Sequence, residues 1–434
     1  MSATSYNGLG TTINVRAAGT QVSVGFNTNV AIVGGYDAAN GSATAGEVEY
    51  IPDSTTAENL FGIDSELYEQ IQLATINGAG EIYAAAVPET STSESITTSS
   101  SMTLSNTPIF DPSVQSEHDI TVTNDSDGSD VSYEISYADT LSTPDSGAVI
   151  NPLSGDVEFA SSGDYTVAYD YGDYTTAIQN AASYNVRFVK VLSEATSVKN
   201  TLISELENQA TDIRFKRGIT GATPDIQSGE ISNYSAAADH QRLIEVAPAR
   251  GNTGDGEQRT VSAVGGAYAS QPLGESLTYD VINGFESLNQ EYRPSQARDF
   301  TGVTAIADTM EIVEGVTTST TDAFSDVYKC EIIDAVAQGL YEVGRGYAGG
   351  PNTEDDRNNL ATDAGNLLSG YARQRPPLLN AGDGSKPYSV ETSLGSSDEE
   401  TIMNVGIEPL DMMKQVTLNL NVGTVVTYEG ASTR

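Results

Sequence analysis

Two histidines, His118 and His240, one cysteine, Cys330, and 60 acidic residues are the side chains with which this 434-residue chain could do chemistry. A Ser-His-Asp triad needs a histidine as its base. Neither histidine comes with a nucleophile motif such as G-x-S-x-G, so surface or capping roles are expected for both, with His240 between a helix and a strand. Asp125-Ser126-Asp127-Gly128-Ser129-Asp130 looks like the start of a calcium loop. An EF-hand needs an acid or Asn at position five, Gly at six and Glu at twelve. Those positions hold Ser129, Asp130 and Ser136, so a hairpin turn is expected. Glu354-Asp355-Asp356 could face a cation, but acids in a first helical turn are favoured by the helix dipole anyway. Gly34-Gly35 and Gly265-Gly266 lack the P-loop lysine and the full G-x-G-x-x-G, and read as turn and packing glycines. A single thiol excludes a disulfide framework within the chain and a multi-thiolate metal site; Cys330 reads as a small packing residue. A carboxylate pair for glycoside hydrolysis stays open among so many acids, with nothing singling one out. No catalytic, metal or cofactor-binding residue and no cofactor is expected.

The elements follow from periodicity. Val30-Ala31-Ile32-Val33-Gly34-Gly35 is an apolar run closing on glycines, the pattern of a buried parallel strand and a tight turn. A helix near 56–76 and a strand at Ile82–Val87 complete a βαβ unit, which makes the core α/β. Residues 89–107 are rich in Ser and Thr and read as a linker. Short alternating strands follow around 120–122, 131–137, 157–159 and 165–171, the spacing of a β-sandwich. The α/β pattern resumes with a helix near 174–184, a strand at 186–192, a helix over 195–210, a loop at 218–230 and a strand at 243–248. A small-faced helix spans 259–270, and short strands sit at 303–306 and 310–313. Phe324 to Val343 has the spacing of one amphipathic helix, capped by Thr321 and ended by Gly344. A second helix carries Leu360 to Tyr371 behind a Thr353/Asp356 capping box. Alternation returns at 388–394, 403–408 and 416–422. At the two ends, Ile13, Val15, Val22 and Val24, and Val425, Val426 and Tyr428, are strand-like without an evident partner. The resulting division is an arm (1–22), the first part of the core (23–89), an inserted β-sandwich (90–172), the second part of the core (173–316), an α+β C-terminal domain (317–422) and a second arm (423–434).

The charge balance is extreme, with 60 Asp and Glu against 20 Lys and Arg, a formal charge of −40. Such a surface repels phosphate, which rules out a basic nucleic-acid stripe as the main activity and disfavours an anionic membrane surface, so neither nucleic acid nor membrane is expected as a partner. Hydrophobic residues at 38% suffice for cores, though they fall below the usual ~45–50%. Only six of the cations are Lys and fourteen are Arg. Self-repulsion at this charge strains a compact fold, while at molar salt the Debye length shrinks to about 3 Å and the strain is screened. The acids are interleaved with Ser, Thr and Gly along the chain, unlike an acidic tail, and read as a halophile's solvation layer. With no basic n-region and no long apolar run, a soluble protein made in the cytoplasm is expected.

The organisation resembles the contractile tail sheath proteins of tailed viruses and related injection systems. The resemblance is carried by Val30 to Tyr36, a "G-x-V-G-x-A"-like opening strand, by Asn59-Leu60-Phe61-Gly62, and by Ile82–Val87, where Ala85-Ala86-Val87 replaces a stretch in which Arg is common. Tyr165–Tyr171 is similar to the end of the family's β-sandwich, Arg242–Pro248 and Ser262–Ser270 to its subtilisin-like domain, and Gly302–Ile306 to its closing strand. The resemblance implies a non-enzymatic α/β sheath core of subtilisin-like topology with an inserted all-β sandwich domain, an α+β C-terminal domain and extended terminal arms. It further implies a structural virion protein of a myovirus-type virus of halophilic archaea. Hexameric rings of such a protein stack helically around a tail tube protein, end on baseplate and tail terminator proteins, and contract for genome ejection. The arm strands Ile13, Val15, Val22, Val24, Val425, Val426 and Tyr428 would pair between subunits, hinged at Gly19 and Gly423. The sheath of a capsid-free injection system and an extracellular halophilic surface protein are the other readings.

If the acids are a salt-dependent solvation layer, dialysis from molar to millimolar salt unfolds the protein or dissolves its assemblies. Circular dichroism and sedimentation check this; an unchanged spectrum in low salt contradicts it.

Overall fold

The computed structural model describes residues 27–224, 238–297, 300–380 and 386–411. The chain opens with β1 (Val30–Gly34), β2 (Val48–Ile51), α1 (Ser54–Phe61), α2 (Glu66–Ile76) and β3 (Ile82–Ala86). The single helix expected near 56–76 is two. Gly62 at φ +85° and Asp64 at φ +63° turn the chain, and a fresh cap forms where Ser65 Oγ accepts from Tyr68 N at 3.3 Å. Six strands follow: β4 (Glu89–Thr103), β5 (Thr121–Asn124), β6 (Ser129–Asp130), β7 (Tyr133–Ile135), β8 (Ala148–Ile150) and β9 (Asp156–Gly172). Then come α3 (Tyr174–Ser183), β10 (Phe188–Val191), α4 (Thr196–Thr211), β11 (Arg217–Gly221), β12 (Leu243–Ala247), β13 (Arg250–Thr253), β14 (Gly256–Arg259), α5 (Val261–Ser270), β15 (Ser287–Leu288), α6 (Pro294–Ala297), β16 (Thr304–Ile306) and β17 (Ile312–Glu314). The last described elements are α7 (Asp322–Ser325), α8 (Val327–Tyr347), α9 (Glu354–Arg373), β18 (Tyr388–Leu394) and β19 (Thr401–Ile407).

The fold is mixed α/β with several sheets. Its largest sheet has eight strands in the order β17-β16-β12-β11-β10-β1-β3-β2, parallel except for the two edges. Strands β1, β10, β11 and β12 are buried at every residue, as parallel strands covered on both faces must be. Side chains alternate between two cores. Val30, Ile32 and Phe188 face α2 and α5, while Ala31, Val33, Val189 and Val191 face α3 and α4. Close packing on the first face depends on α5 being small. A Cβ at Gly266 would lie 2.5 Å from the Ala74 carbonyl oxygen of α2.

Residues 89–103, expected as linker, are strand β4, paired along its length with β9. Thr suits a pleated strand, and one face of β4 meets water, so the run carries little apolar alternation. The stretch 156–172, expected as two strands, is one strand bent at a bulge. Phe159 and Tyr165 stack with ring centres 4.1 Å apart, although six residues of straight strand span about 20 Å. The hydrogen bonds make one six-stranded sheet folded over its own core of Ile120, Val122, Ile150, Val157, Phe159 and Val167, rather than two separate sheets. Part of the loop expected at 218–230 is strand β11, hidden in sequence by its glycines. Near the end, Asp326 splits the expected single helix into α7 and α8, Thr321 makes no side-chain cap bond, and α8 runs past Gly344 to Tyr347. The capping position of Thr353 holds: its hydroxyl accepts from Asp356 N at 3.2 Å.

Gly266→Ala should destabilise the protein by about 1–3 kcal/mol, read from denaturant midpoints in molar salt. Helix propensity alone favours Ala by about 1 kcal/mol, so a stabilised variant contradicts this packing.

Candidate functional site

Open α/β sheets hold ligands at the carboxyl ends of their parallel strands. Here that place is filled from within. Glu194 follows β10, Arg250 starts β13 just beyond β12, Arg259 ends β14, and Glu66 starts α2. Arg259 Nε and Nη2 donate to the two oxygens of Glu194 at 2.7 and 3.3 Å, and its Nη1 meets Glu66 Oε1. Arg250 Nη2 lies 2.9 Å from Asp111 Oδ2 and 3.5 Å from Glu194 Oε2. Its Nη1 donates to Ser113 Oγ at 2.9 Å, to the Tyr137 hydroxyl, and to Glu257 Oε1 at 3.2 Å. Gln115 Nε2 donates to Glu66 Oε2 at 2.8 Å. All the charged members except Glu257 are buried. Asp111, Ser113, Gln115 and Tyr137 lie between β4 and β9, in the stretch that carries the six-stranded sheet (the β-lobe), so the network clamps this lobe to the body built on the eight-stranded sheet. Burial pushes the Asp111 carboxyl up; Arg250, the Tyr137 hydroxyl and Ser113 outweigh it and hold the group below its ordinary value.

The amino ends of the same strands carry a second clamp. Arg187 precedes β10, Arg217 opens β11 and Arg242 precedes β12. Arg187 donates to both oxygens of Glu331 at 2.6 and 2.8 Å. Arg217 Nη2 lies 2.7 Å from Asp334 Oδ2, and Arg242 grips both Asp334 oxygens at 3.2 Å. Glu331 and Asp334 are on α8, so three arginines fasten the C-terminal helices to the sheet. Two further cations lie inside. Lys199 Nζ is 3.3 Å from Glu245 Oε1. Lys190 Nζ donates to the Ser262 carbonyl at 3.3 Å, and burial lowers its ammonium to about 7.

His118, expected at the surface or in a cap, is buried. Its ring stacks on Phe110 with centres 4.2 Å apart, and Nδ1 is 3.2 Å from Asp170 Oδ2. Such a pair could serve a triad, but Nε2 faces Glu89 Oε2 at 3.7 Å, an acid where a nucleophile's hydroxyl would stand. His240 is partly buried ahead of β12. Its Nε2 is 3.0 Å from Glu207 Oε1, and its Nδ1 accepts from Arg242 N at 3.1 Å, a turn-capping role. Asp125–Asp130 forms the β5–β6 turn, with Gly128 at φ +70° and Asp127 Oδ1 accepting from Ser129 N at 3.0 Å. Glu354–Asp356 fills the first turn of α9, and Cys330 is buried in α8. Among the described residues, no three His, Cys, Asp or Glu side chains are grouped to hold a metal ion, and no helix is long and apolar enough to cross a membrane. The arm residues Ile13, Val15, Gly19, Val22, Val24, Gly423, Val425, Val426 and Tyr428 lie outside the described residues.

The sequence reading missed both clamps. Their signal was charged residues embedded in apolar strands, such as Glu245 in Leu243–Ala247 and Lys190 in Phe188–Val191. It also did not mark what the hairpin β18–β19 offers. Tyr388, Val390, Val405 and Ile407 pack against the α8–α9 pair. Neither outer edge of this two-stranded sheet pairs with another strand among the described residues, and Leu394 and Ile402 are exposed.

No protein-family model and no curated protein matches the chain. Solved structures do. A chain of the anti-feeding prophage (AFP) baseplate, determined by cryo-EM with 6-fold symmetry, matches with a TM-score of 0.58 at 12% identity, covering 96% of this chain and 100% of its own. The AFP helical sheath in its contracted state gives 0.57 at 10% identity, covering 96% and 99%. The contracted PVC sheath complex of an extracellular contractile injection system gives 0.57 at 11% identity, covering 98% and 99%. The fold of this chain is therefore that of these proteins over nearly its whole length.

Arg250→Gln leaves Asp111 and Glu194 buried beside one another with a cation removed, and should cost about 3–5 kcal/mol at neutral pH. Asp111 has a depressed folded value, so its contribution is present above the ordinary carboxylate range and is lost as pH falls through the folded value. The gap between wild type and variant should accordingly narrow on acidification. Urea titrations at several pH values check this; a variant as stable as wild type at pH 7 contradicts the clamp.

Proposed function

We propose that this chain is the subunit of a contractile sheath: a structural protein that polymerises as stacked hexameric rings around a tail tube and contracts to drive that tube through a host envelope. The single observation that carries the reading is the end-to-end fold likeness to sheath and baseplate chains of contractile particles. The 6-fold symmetry of the AFP baseplate supports the hexameric ring. The open edges of β18–β19 support assembly by strand addition. Unpaired strand edges invite pairing with another chain, and main-chain hydrogen bonds from an incoming strand satisfy them.

The donated strands would be the terminal segments, through Ile13, Val15, Val22 and Val24 at one end and Val425, Val426 and Tyr428 at the other, with Gly19 and Gly423 as hinges. A heterologous contact of this kind does not close on itself and propagates as a helix. Contraction is then a rigid-body slide and rotation of subunits, the donated strands keeping neighbours tied. The division into arms, α/β core, β-insert and C-terminal domain is the working map for this mechanism. The acid excess supports a virus of halophilic archaea as the source. The AFP and PVC likenesses favour, as a second reading, the sheath of a capsid-free injection system.

Concentrated protein in molar salt should form tubes visible by negative-stain microscopy. Deleting residues 1–19 or 423–434 should abolish them and leave monodisperse monomer by light scattering. Tubes of normal length after both deletions contradict the strand-exchange mechanism.

A further inference from the structure

The segment 108–118 is the seam by which the β-lobe sits on the α/β body. Its Asp111 and Gln115 enter the buried ion network. Its other end, Glu117 and His118, faces a different surrounding. Both carboxylate oxygens of Glu117 are shielded from solvent, and neither has a hydrogen-bond partner from another residue. The charges that act on this group are Asp37, from the loop after β1, and Glu89, the first residue of β4; Glu89 in turn faces His118 Nε2 at 3.7 Å, and His118 Nδ1 is 3.2 Å from Asp170 Oδ2 near the end of β9. Tyr36, beside Asp37, also feels Glu89. None of the groups perturbing Glu117 is a cation. These residues come from both sides of the seam: Asp37 from the body, and Glu89 and Asp170 from the two strands that leave and re-enter it.

A buried carboxylate without a hydrogen-bond donor or a cation is costly, and protonation removes the cost. We propose that Glu117 is a proton-operated latch on its own end of the seam: with its carboxyl neutral this end stays closed on the body, and ionisation of that carboxyl beside Asp37 and Glu89 opens it, while the Asp111 and Gln115 end stays held by the ion network. The direction of the titration agrees. Burial first, then repulsion from Asp37 and Glu89, raises Glu117 to about 7, against only its own backbone N–H. Burial first, then repulsion from Asp170 and Asp37, raises Glu89 as well. A group whose folded value is raised stabilises the closed seam fully below its free value and loses that contribution as pH rises through the folded one. His118 acts in the opposite sense. Burial lowers it, so below its ordinary range it favours opening as pH falls. The latch concerns the subunit itself and holds whether or not the chain polymerises.

The test is hydrogen exchange by mass spectrometry on the full chain and on Glu117→Gln, across about pH 5 to 8, corrected for intrinsic exchange and read in peptides covering 86–90, 108–120 and 168–173. Dividing wild-type by variant opening removes those parts of the His118 and Glu89 contributions that do not depend on the Glu117 charge. That ratio should climb about tenfold per pH unit up to about pH 7 and level off above it, with peptides of the large sheet unchanged. A ratio independent of pH overturns the proposal. Infrared difference spectra supply a second readout that does not depend on the variant's stability. Wild type near pH 6 should show a protonated-carboxyl band that disappears on raising the pH past 8; its absence at pH 6 also overturns the proposal.

Discussion

The parallel sheet is held to the rest of the protein by buried arginines at both of its ends. At the carboxyl end, Arg250 and Arg259 join Glu194 and Glu66 of the body to Asp111 of the lobe. At the amino end, Arg187, Arg217 and Arg242 join three adjacent strands to Glu331 and Asp334 of α8. Breaking one partner of a buried pair is far costlier than losing a surface pair, because the remaining charge is left without water or a counter-ion. The clamps therefore favour movement of lobe, body and helices as one piece.

The same clamps shape the outside. Among the described residues seven basic but only six acidic ones are buried, so the part of them left facing solvent is more lopsided than the composition. In the proposed assembly the net charge of the bodies therefore opposes cohesion between copies. Apolar contacts and main-chain pairing are the remaining means, and the hairpin β18–β19 offers both. A stiff subunit with an adhesive edge suits a polymer whose function is to slide from one packing to another. The Glu117 end of the seam carries acids without a cation among the groups that perturb Glu117, which sets it apart from the two clamps.

Much of the body is legible in the sequence. β1 announces itself because a strand buried on both faces reads as an unbroken apolar run, and β10 and β12 do so although each carries one charged residue, Lys190 and Glu245. α8 and α9 do so through their apolar stripes. β4 is opaque because its Ser and Thr face water on one side, and its stability comes from pairing with β9, seventy residues away. β11, with the sequence RGITG, looks like a loop because its glycines admit Leu202 and Leu206 against the backbone. The bend in β9 is a tertiary feature, visible only when Phe159 is found stacked on Tyr165. The ion clamps escape for a related reason: Arg250 and Asp111 stand 139 positions apart, and neither carries a local motif. Conversely, the absence of a nucleophile motif near His118 was readable, whereas its burial against Phe110 was not.

A cryo-EM reconstruction of the chain's own assemblies in molar salt tests the central claim most directly. The account predicts a helical tube in which each β18–β19 hairpin is extended by strands contributed from the ends of neighbouring subunits, with the lobe, the large sheet and α8–α9 superposing on the isolated subunit as one body. A map in which both ends of every chain fold onto their own subunit, leaving the hairpin edges unpaired, would contradict it.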